Sequence, residues 1–419
     1  MCVKIAVLQQ ENHKKQIQSI LVILGIGLFS EEVLFSNTIF QKILWALFAL
    51  LGIAVLLRQY KSRTMTNALV LLGTPIPLII IMLYTLVRCL FIQDELGIAR
   101  QAFTTTMFVV VDVLMVIWLL YPYKQRCIDV LFWAIIVSYS LAVIGAICNV
   151  GFLGMFEPIP DADVDAYRTF ERHDLGTAVV PLILYDLARY LLYREEQPAS
   201  SLKKAGVLVL IMLISGKRGA YLGLAAGIAM LVMFLVHKKH QKAVCRWAMA
   251  GCVVLPFLYV CFIRFGGLSF AAELLHINSM GRVEVYEWFS DQYTISPLYF
   301  GKGFQYVHRY MVAGLGDYLV NNFGYLHNSI LQLYIEGGFW GFFLWFAYMA
   351  VGIPLTLRKW YSSKTVMFYL TVLVATVAIF AVDNVLTYPL YQVCLYATLG
   401  AVMQITRPFC MPGDIGKKS

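Results

Sequence analysis

The chain has 419 residues, 60% of them hydrophobic and only 14% charged, with a formal net charge of +9 and a mean hydropathy of +0.73. Soluble domains average about 45–50% apolar and about 25% charged residues, so a soluble fold is excluded. The positive balance would point to nucleic acid in a soluble protein, but here Lys and Arg gather in alternate loops and no nucleic-acid partner is expected.

A helix needs roughly 20 apolar residues to cross a bilayer core. On that measure spans are predicted at 17–34, 39–57, 67–92, 98–121, 128–152, 174–193, 203–216, 219–236, 245–264, 327–356, 365–382 and 385–405. The expected fold class is all-α, a single polytopic transmembrane domain over 1–419 with about 12 helices. Lys14 and Lys15 precede the first run, but Ser30-Glu31-Glu32 offers no small-residue cleavage site. That run is therefore read as a retained helix rather than a signal peptide. Pro75 and Pro77 predict a kink in the third span. Asp112 and Asp186 fall inside spans, where carboxylates are costly. Arg189 lies one turn from Asp186 and can neutralise it, whereas Asp112 has no evident partner.

The run from Ala205 to Val236 is interrupted by Ser215-Gly-Lys-Arg-Gly219. Basic clusters flank it on both sides, Arg194/Lys203/Lys204 before and Lys238/Lys239/Lys242/Arg246 after, which requires an even number of crossings. The expectation is a hairpin with Lys217 and Arg218 at its turn, near the outer surface. Arg218 reads either as an arginine facing an anionic partner or as a helix-end charge reaching for water.

The remaining basic loops (Lys4/Lys14/Lys15, Arg58/Lys61/Arg63, Lys124/Arg126, Arg358/Lys359/Lys364, Arg407/Lys417/Lys418) fall on the same side, opposite Glu31-Glu32, Asp94-Glu95 and the acidic segment from Glu157 to Asp165. Lys and Arg are retained in the cytoplasm, so both termini are expected there. Two long loops, 156–173 and 265–326, then lie outside, and long loops often carry function.

In the first loop, Asp161-Ala-Asp163-Val-Asp165 resembles the Asp-x-Asp element of metal-dependent glycosyltransferases. Three alternating acids also make an ordinary solvated loop, and no metal site is expected. In the second, Gly281 to Ser290 reads as a short helix with an interfacial face of Val283, Val285, Trp288 and Phe289. Arg282 offers a planar fork for diphosphate oxygens. His327 stands at the head of an apolar helix, where packing orients it, and neutral imidazole suits proton abstraction near pH 7. Its alternative is an interfacial histidine that caps the helix together with Asn328.

The nine cysteines lie mostly in apolar runs (Cys89, Cys148, Cys252, Cys261, Cys394) with no Cys-x-x-Cys, and read as small buried hydrophobes. No His-Glu-x-x-His, Walker loop or Gly-x-Ser-x-Gly occurs, so proteolysis and nucleotide hydrolysis lose their usual signatures.

Taken together, the chain resembles the superfamily of O-antigen ligases and O-antigen/capsular polysaccharide polymerases. The resemblance rests on Ser215-Gly-Lys-Arg218-Gly-Ala220, on Gly281-Arg282 with Pro297 and Gly301-Lys-Gly303, and on His327-Asn328-Ser-Ile-Leu with Glu336-Gly-Gly338 and Gly341. It covers about the C-terminal half; the N-terminal half matches only as a set of helices. Lys217 departs from the small hydroxyl residue often found before that arginine.

The resemblance implies a metal-independent, inverting membrane glycosyltransferase without a cofactor. Its donor would be an undecaprenyl-diphosphate-linked glycan on the outer face of the bacterial cytoplasmic membrane. Arg218 and Arg282 would grip the diphosphate, and His327 would accept the acceptor hydroxyl's proton. Arg168 or Arg172 would add a third positive contact, with Lys217, Asn328 and Glu336 as further substrate-side candidates; for Glu336 the alternatives are orienting the helix that carries His327 or a structural role. The first expected function is polymerisation of repeat units into O-antigen, capsule or exopolysaccharide, with a flippase and a chain-length regulator as partners. The alternative is ligation of the glycan to lipid A-core. A rival from another class is a secondary transporter or flippase working through Asp112.

Overall fold

A computed structural model of the chain describes residues 38–59, 64–92, 96–123, 126–154, 173–193, 198–274, 276, 281–316, 320 and 325–406. Among these residues the regular elements are all helical. Within hydrocarbon a helix satisfies every backbone polar group inside its own segment, and long apolar runs obey that rule.

The elements in order are α1 (Thr38–Gln59), α2 (Thr64–Gly73), α3 (Ile76–Phe91), α4 (Ile98–Tyr123), α5 (Cys127–Gly154), α6 (His173–Ala188), α7 (Pro198–Ile214), α8 (Arg218–Val236) and α9 (Gln241–Arg264). Three short helices follow, α10 (Gly267–Leu274), α11 (Arg282–Ser290) and α12 (Tyr306–Val312). The chain then returns through α13 (Ser329–Ala347), a π-helical turn at Tyr348–Gly352, α14 (Ile353–Trp360), α15 (Ser363–Phe380) and α16 (Pro389–Ile405).

Seven helices among the described residues are long and apolar enough to cross a membrane, or eight if the bent pair α2–α3 is one span. The expected count of about twelve is not reached. The first predicted span lies outside the described residues. The helices α7 and α16 have 17 residues each, short of a full crossing. The apolar stretch of α1 narrows to Trp45–Arg58. The kink predicted at Pro75 and Pro77 is present as a 45° bend between α2 and α3. The interruption predicted after Ile214 is also present, and it separates α7 from α8.

The centre of the bundle is α6, whose Leu175, Ala178, Val179, Val180, Leu182, Ile183, Leu184 and Tyr185 are fully enclosed. It packs against α7, α8, α15 and α16. By contrast α9 turns Val254, Leu255, Leu258 and Phe262 outward, as a lipid-facing helix must. The short helix α11 departs from expectation, because Val285 and Phe289 point into protein and only Trp288 of that face is exposed.

Halfway along α13 the helix breaks at Gly338, which has φ 66° and ψ −172°. The carbonyls of Ile335 and Glu336 thereby lose helical partners, and buried carbonyls need replacements. The segment 299–303 supplies them: Lys302 N–H and the Tyr299 hydroxyl donate to Ile335 O (2.9 and 2.7 Å), and Gly303 N–H donates to Glu336 O (2.9 Å). Phe339 N–H returns a bond to Tyr299 O (2.8 Å). A Cβ on Gly338 would overlap Phe300 and Gly301, and one on Gly301 would overlap Glu336 O and Gly338 N. The glycines of both motifs are thus the two sides of one backbone junction.

Candidate active site at one end of the bundle

Five segments meet at one end: the α7–α8 turn, the start of α11, the end of α9, the head of α13 and the α15–α16 turn. His327 immediately precedes α13 with φ 50°, a left-handed conformation uncommon for a side-chain-bearing residue and often kept where function requires it. Its backbone is held on both sides. The Tyr286 hydroxyl donates to His327 O (3.3 Å), and Asn328 N–H donates to Asn384 Oδ1 (3.0 Å). Asn328 is the N-cap of α13, its Oδ1 accepting from Leu331 N–H (3.0 Å) and its Nδ2 donating to the Tyr259 hydroxyl (3.3 Å). The capping role foreseen for this pair therefore falls to Asn328.

Asp383 is the hub. Its carbonyl accepts from both Ser329 N–H (3.1 Å) and Ser329 Oγ (2.9 Å), which ties the α15–α16 turn to the head of α13. Its side chain has no solvent exposure. Oδ1 accepts from Asn384 N–H (2.9 Å) and from the Tyr388 hydroxyl (3.1 Å), and lies 3.7 Å from His327 Nδ1. Oδ2 lies 3.0 Å from Lys217 Nζ. Burial pushes this carboxyl upward, but the facing imidazole, the Lys217 charge and the Asn384 amide outweigh it and hold the group at about 2, below its ordinary 3.8.

The cations come from two separate parts of the chain. Arg282 begins α11 and donates from Nη1 to Val382 O (3.3 Å), beside Asp383. Lys217 and Arg218 start α8, with Lys217 directed at Asp383 and Arg218 exposed. The structure therefore brings His327, Arg282, Lys217 and Arg218 to the same turn. Glu336 is placed elsewhere: its fully buried Oε1 accepts from Val307 N–H (3.0 Å) and Gln332 Nε2 (3.1 Å), so it secures α12 to α13. Asn328 and Glu336, expected on the substrate side, are both enclosed by protein groups. Arg168, Arg172 and the Asp161–Asp165 segment lie outside the described residues.

Asp383, Asn384, Tyr286 and Tyr388 were not singled out by sequence. The available signal was an Asp-Asn pair in the two-residue gap between the predicted spans 365–382 and 385–405, where a buried acid needs a cation. Asp112 is 3% exposed, and its Oδ2 has no hydrogen-bond partner among the described residues. The recess of about 570 Å³ between α3 and α13 is apolar, lined by Ile80, Tyr84, Phe300, Trp340 and Leu344 among others, and contains none of the site's ionisable groups.

Residues 205–346 match the family model described as O-Antigen ligase. The match takes in Lys217, Arg218, Arg282, His327 and Glu336 and ends before Asp383. No curated protein and no solved structure matches.

Proposed function

We propose, on the premise that this match supports membership of the O-antigen ligase/polysaccharide polymerase superfamily, that the chain transfers a lipid-diphosphate-linked glycan to a hydroxyl acceptor at the outer face of a bacterial cytoplasmic membrane. The observation that carries the reading is the His327–Asp383 pair at one end of a membrane bundle, with Arg282 bonded to Val382 O beside it and Arg218 following Lys217 in the chain, open to solvent. Asp383 Oδ1 faces Nδ1 at 3.7 Å, outside hydrogen-bond distance; closing to bonding distance as the substrates bind would orient the imidazole with Nε2 as the base, the division of labour known from hydrolytic triads. Nε2 takes the acceptor hydroxyl's proton while its oxygen bonds to the anomeric carbon. The bond from that carbon to the diphosphate oxygen breaks, and the departing charge falls to the guanidinium groups. Inversion follows from a single displacement, and cations in place of a metal suffice for the diphosphate.

Two acceptors are compatible with this chemistry. The family's description, O-Antigen ligase, favours ligation, with lipid A-core as the proposed acceptor, over polymerisation of repeat units, the reading put first from sequence. Supplying the purified protein with lipid-linked donor and either lipid A-core or a second lipid-linked repeat unit separates them. His327→Ala is expected to lower transfer by roughly 10²–10⁴-fold while membrane insertion is unchanged. Native transfer by that variant would remove the assignment. If Asp112→Asn instead abolishes lipid-linked glycan translocation and His327→Ala does not affect it, the transporter reading takes over.

A further inference from the structure

Lys217 and Arg218 are adjacent cations with opposite settings, one 13% exposed against a carboxylate and the other open to solvent. The backbone leaves Lys217 little choice. Ser215 N–H donates to Ile211 O (2.9 Å) and Ser215 Oγ to Met212 O (2.7 Å), Gly216 has φ +67°, and Ala220 N–H donates to Lys217 O (3.0 Å). The turn lies directly on α6, so closely that a Cβ on Gly176 would overlap Ser215 Oγ and sit 3.2 Å from Lys217 Cβ. Asp383 in turn is two-sided. Oδ1 meets Asn384 N–H, the Tyr388 hydroxyl and His327, while Oδ2 meets Lys217.

We infer that Lys217 is an internal counter-ion, a positioning residue that holds Asp383 ionised with Oδ1 toward His327, and not a ligand of the substrate's phosphates. The inference rests on the proposed role of His327 as the base. A fully buried carboxylate is costly unless paired, and the ammonium at 3.0 Å is the nearer of its two ionisable partners. Pairing also limits how much of the carboxylate's charge the imidazole feels. Without Lys217 no cation would hold Oδ2, and Oδ1 would lose its fixed direction toward His327. The other groups facing the pair do not reverse this. From α11, Arg282 is a fixed cation and Tyr286 donates to His327 O. From α9, Tyr259 donates to Ala381 O, and beside α16 Tyr388 donates to Asp383. Arg218, also a fixed cation, is turned to solvent.

The test uses the full-length protein in nanodiscs and follows the His327 ring by histidine-selective NMR, assigned by the signal lost in His327→Gln. Lys217→Met is expected to lower the share of the Nδ1-protonated tautomer, the one that an ionised Asp383 facing Nδ1 favours, by at least about twofold. Lys217→Arg should restore the wild-type value. The double variant Lys217→Met/Asp383→Asn, which leaves no orphaned carboxylate should the single variant misfold, should show the same lowered share. Inorganic pyrophosphate serves as the second probe: Lys217→Met should bind it as wild type does, whereas Arg282→Ala should bind it at least about tenfold more weakly. An unmoved His327 tautomer share in Lys217→Met, or a tenfold loss of pyrophosphate affinity in that variant, overturns the counter-ion role. Neither readout requires turnover, so they stand apart from any failure of His327 as the base, which only the transfer assay reports.

Discussion

The helix α13 carries two polar junctions that look alike in sequence and differ in kind. At its head, His327-Asn328-Ser329 meets Asp383-Asn384 through side chains, and the junction stays partly open, with His327 26% exposed. Nine residues on, Glu336-Gly-Gly338 meets 299–303 through backbone, and the junction is sealed, with Glu336 at 0%. Both satisfy buried polar groups, but only the first leaves ionisable groups facing one another beside solvent. A motif's polarity therefore does not distinguish chemistry from architecture; the residual access of its charged atoms does.

Breaking each junction should separate the two roles. Asp383→Asn removes the charge that orients His327 and is expected to lower kcat by on the order of 10² or more. Glu336→Gln keeps a carbonyl acceptor for Val307 N–H and should hold kcat within about twofold of wild type. Comparable losses in the two variants, measured on equal amounts of inserted protein, would erase the contrast. Gly338→Ala forces a Cβ into Phe300 and Gly301 at positive φ, and about 3 kcal/mol of stability should be lost. Thermal unfolding in detergent reads that loss, and the His327 tautomer share of the surviving folded fraction should not move.

Acid provides a finer probe. Asp383 titrates at about 2 in the fold against an ordinary 3.8. A depressed carboxyl contributes stability that is fully present above its unfolded value and is lost as pH falls through the folded one. Roughly 2 kcal/mol should therefore disappear between pH 4 and pH 2, a dependence that Asp383→Asn lacks when unfolding is followed across that window. The smallest effect is expected at Asn328. Truncation to Ala removes the α13 cap and should cost about 1 kcal/mol, with denaturant midpoints as the measure.

Much of this was legible in the sequence for identifiable reasons. The span ends of α4, α9 and α15 follow from apolar runs bounded by charge. The 45° bend follows from two prolines that remove backbone donors. The residues that meet at the site were marked in part by local oddities: an arginine after a glycine, a histidine before an apolar run, a basic pair interrupting another. Asp383 escaped because, read along the chain, it is an acid at the end of a span like any other. Lys217 was read toward substrate because nothing local shows which of two adjacent cations turns inward. Glu336 was read as substrate-side because sequence does not show that the segment at 307 folds over it.

The amino-acid sequence by itself determined that this chain is a membrane-embedded set of helices and which polar residues interrupt them, since hydropathy and charge act over a few neighbouring residues. Only the tertiary structure decided which interruptions meet. Lys217, Arg282, His327 and Asp383 are separated by up to 166 positions, and their approach depends on α6, α8, α13 and α15 packing side by side. Helix packing is a property of whole surfaces in contact, and no local pattern encodes which ends of which helices will share a carboxylate.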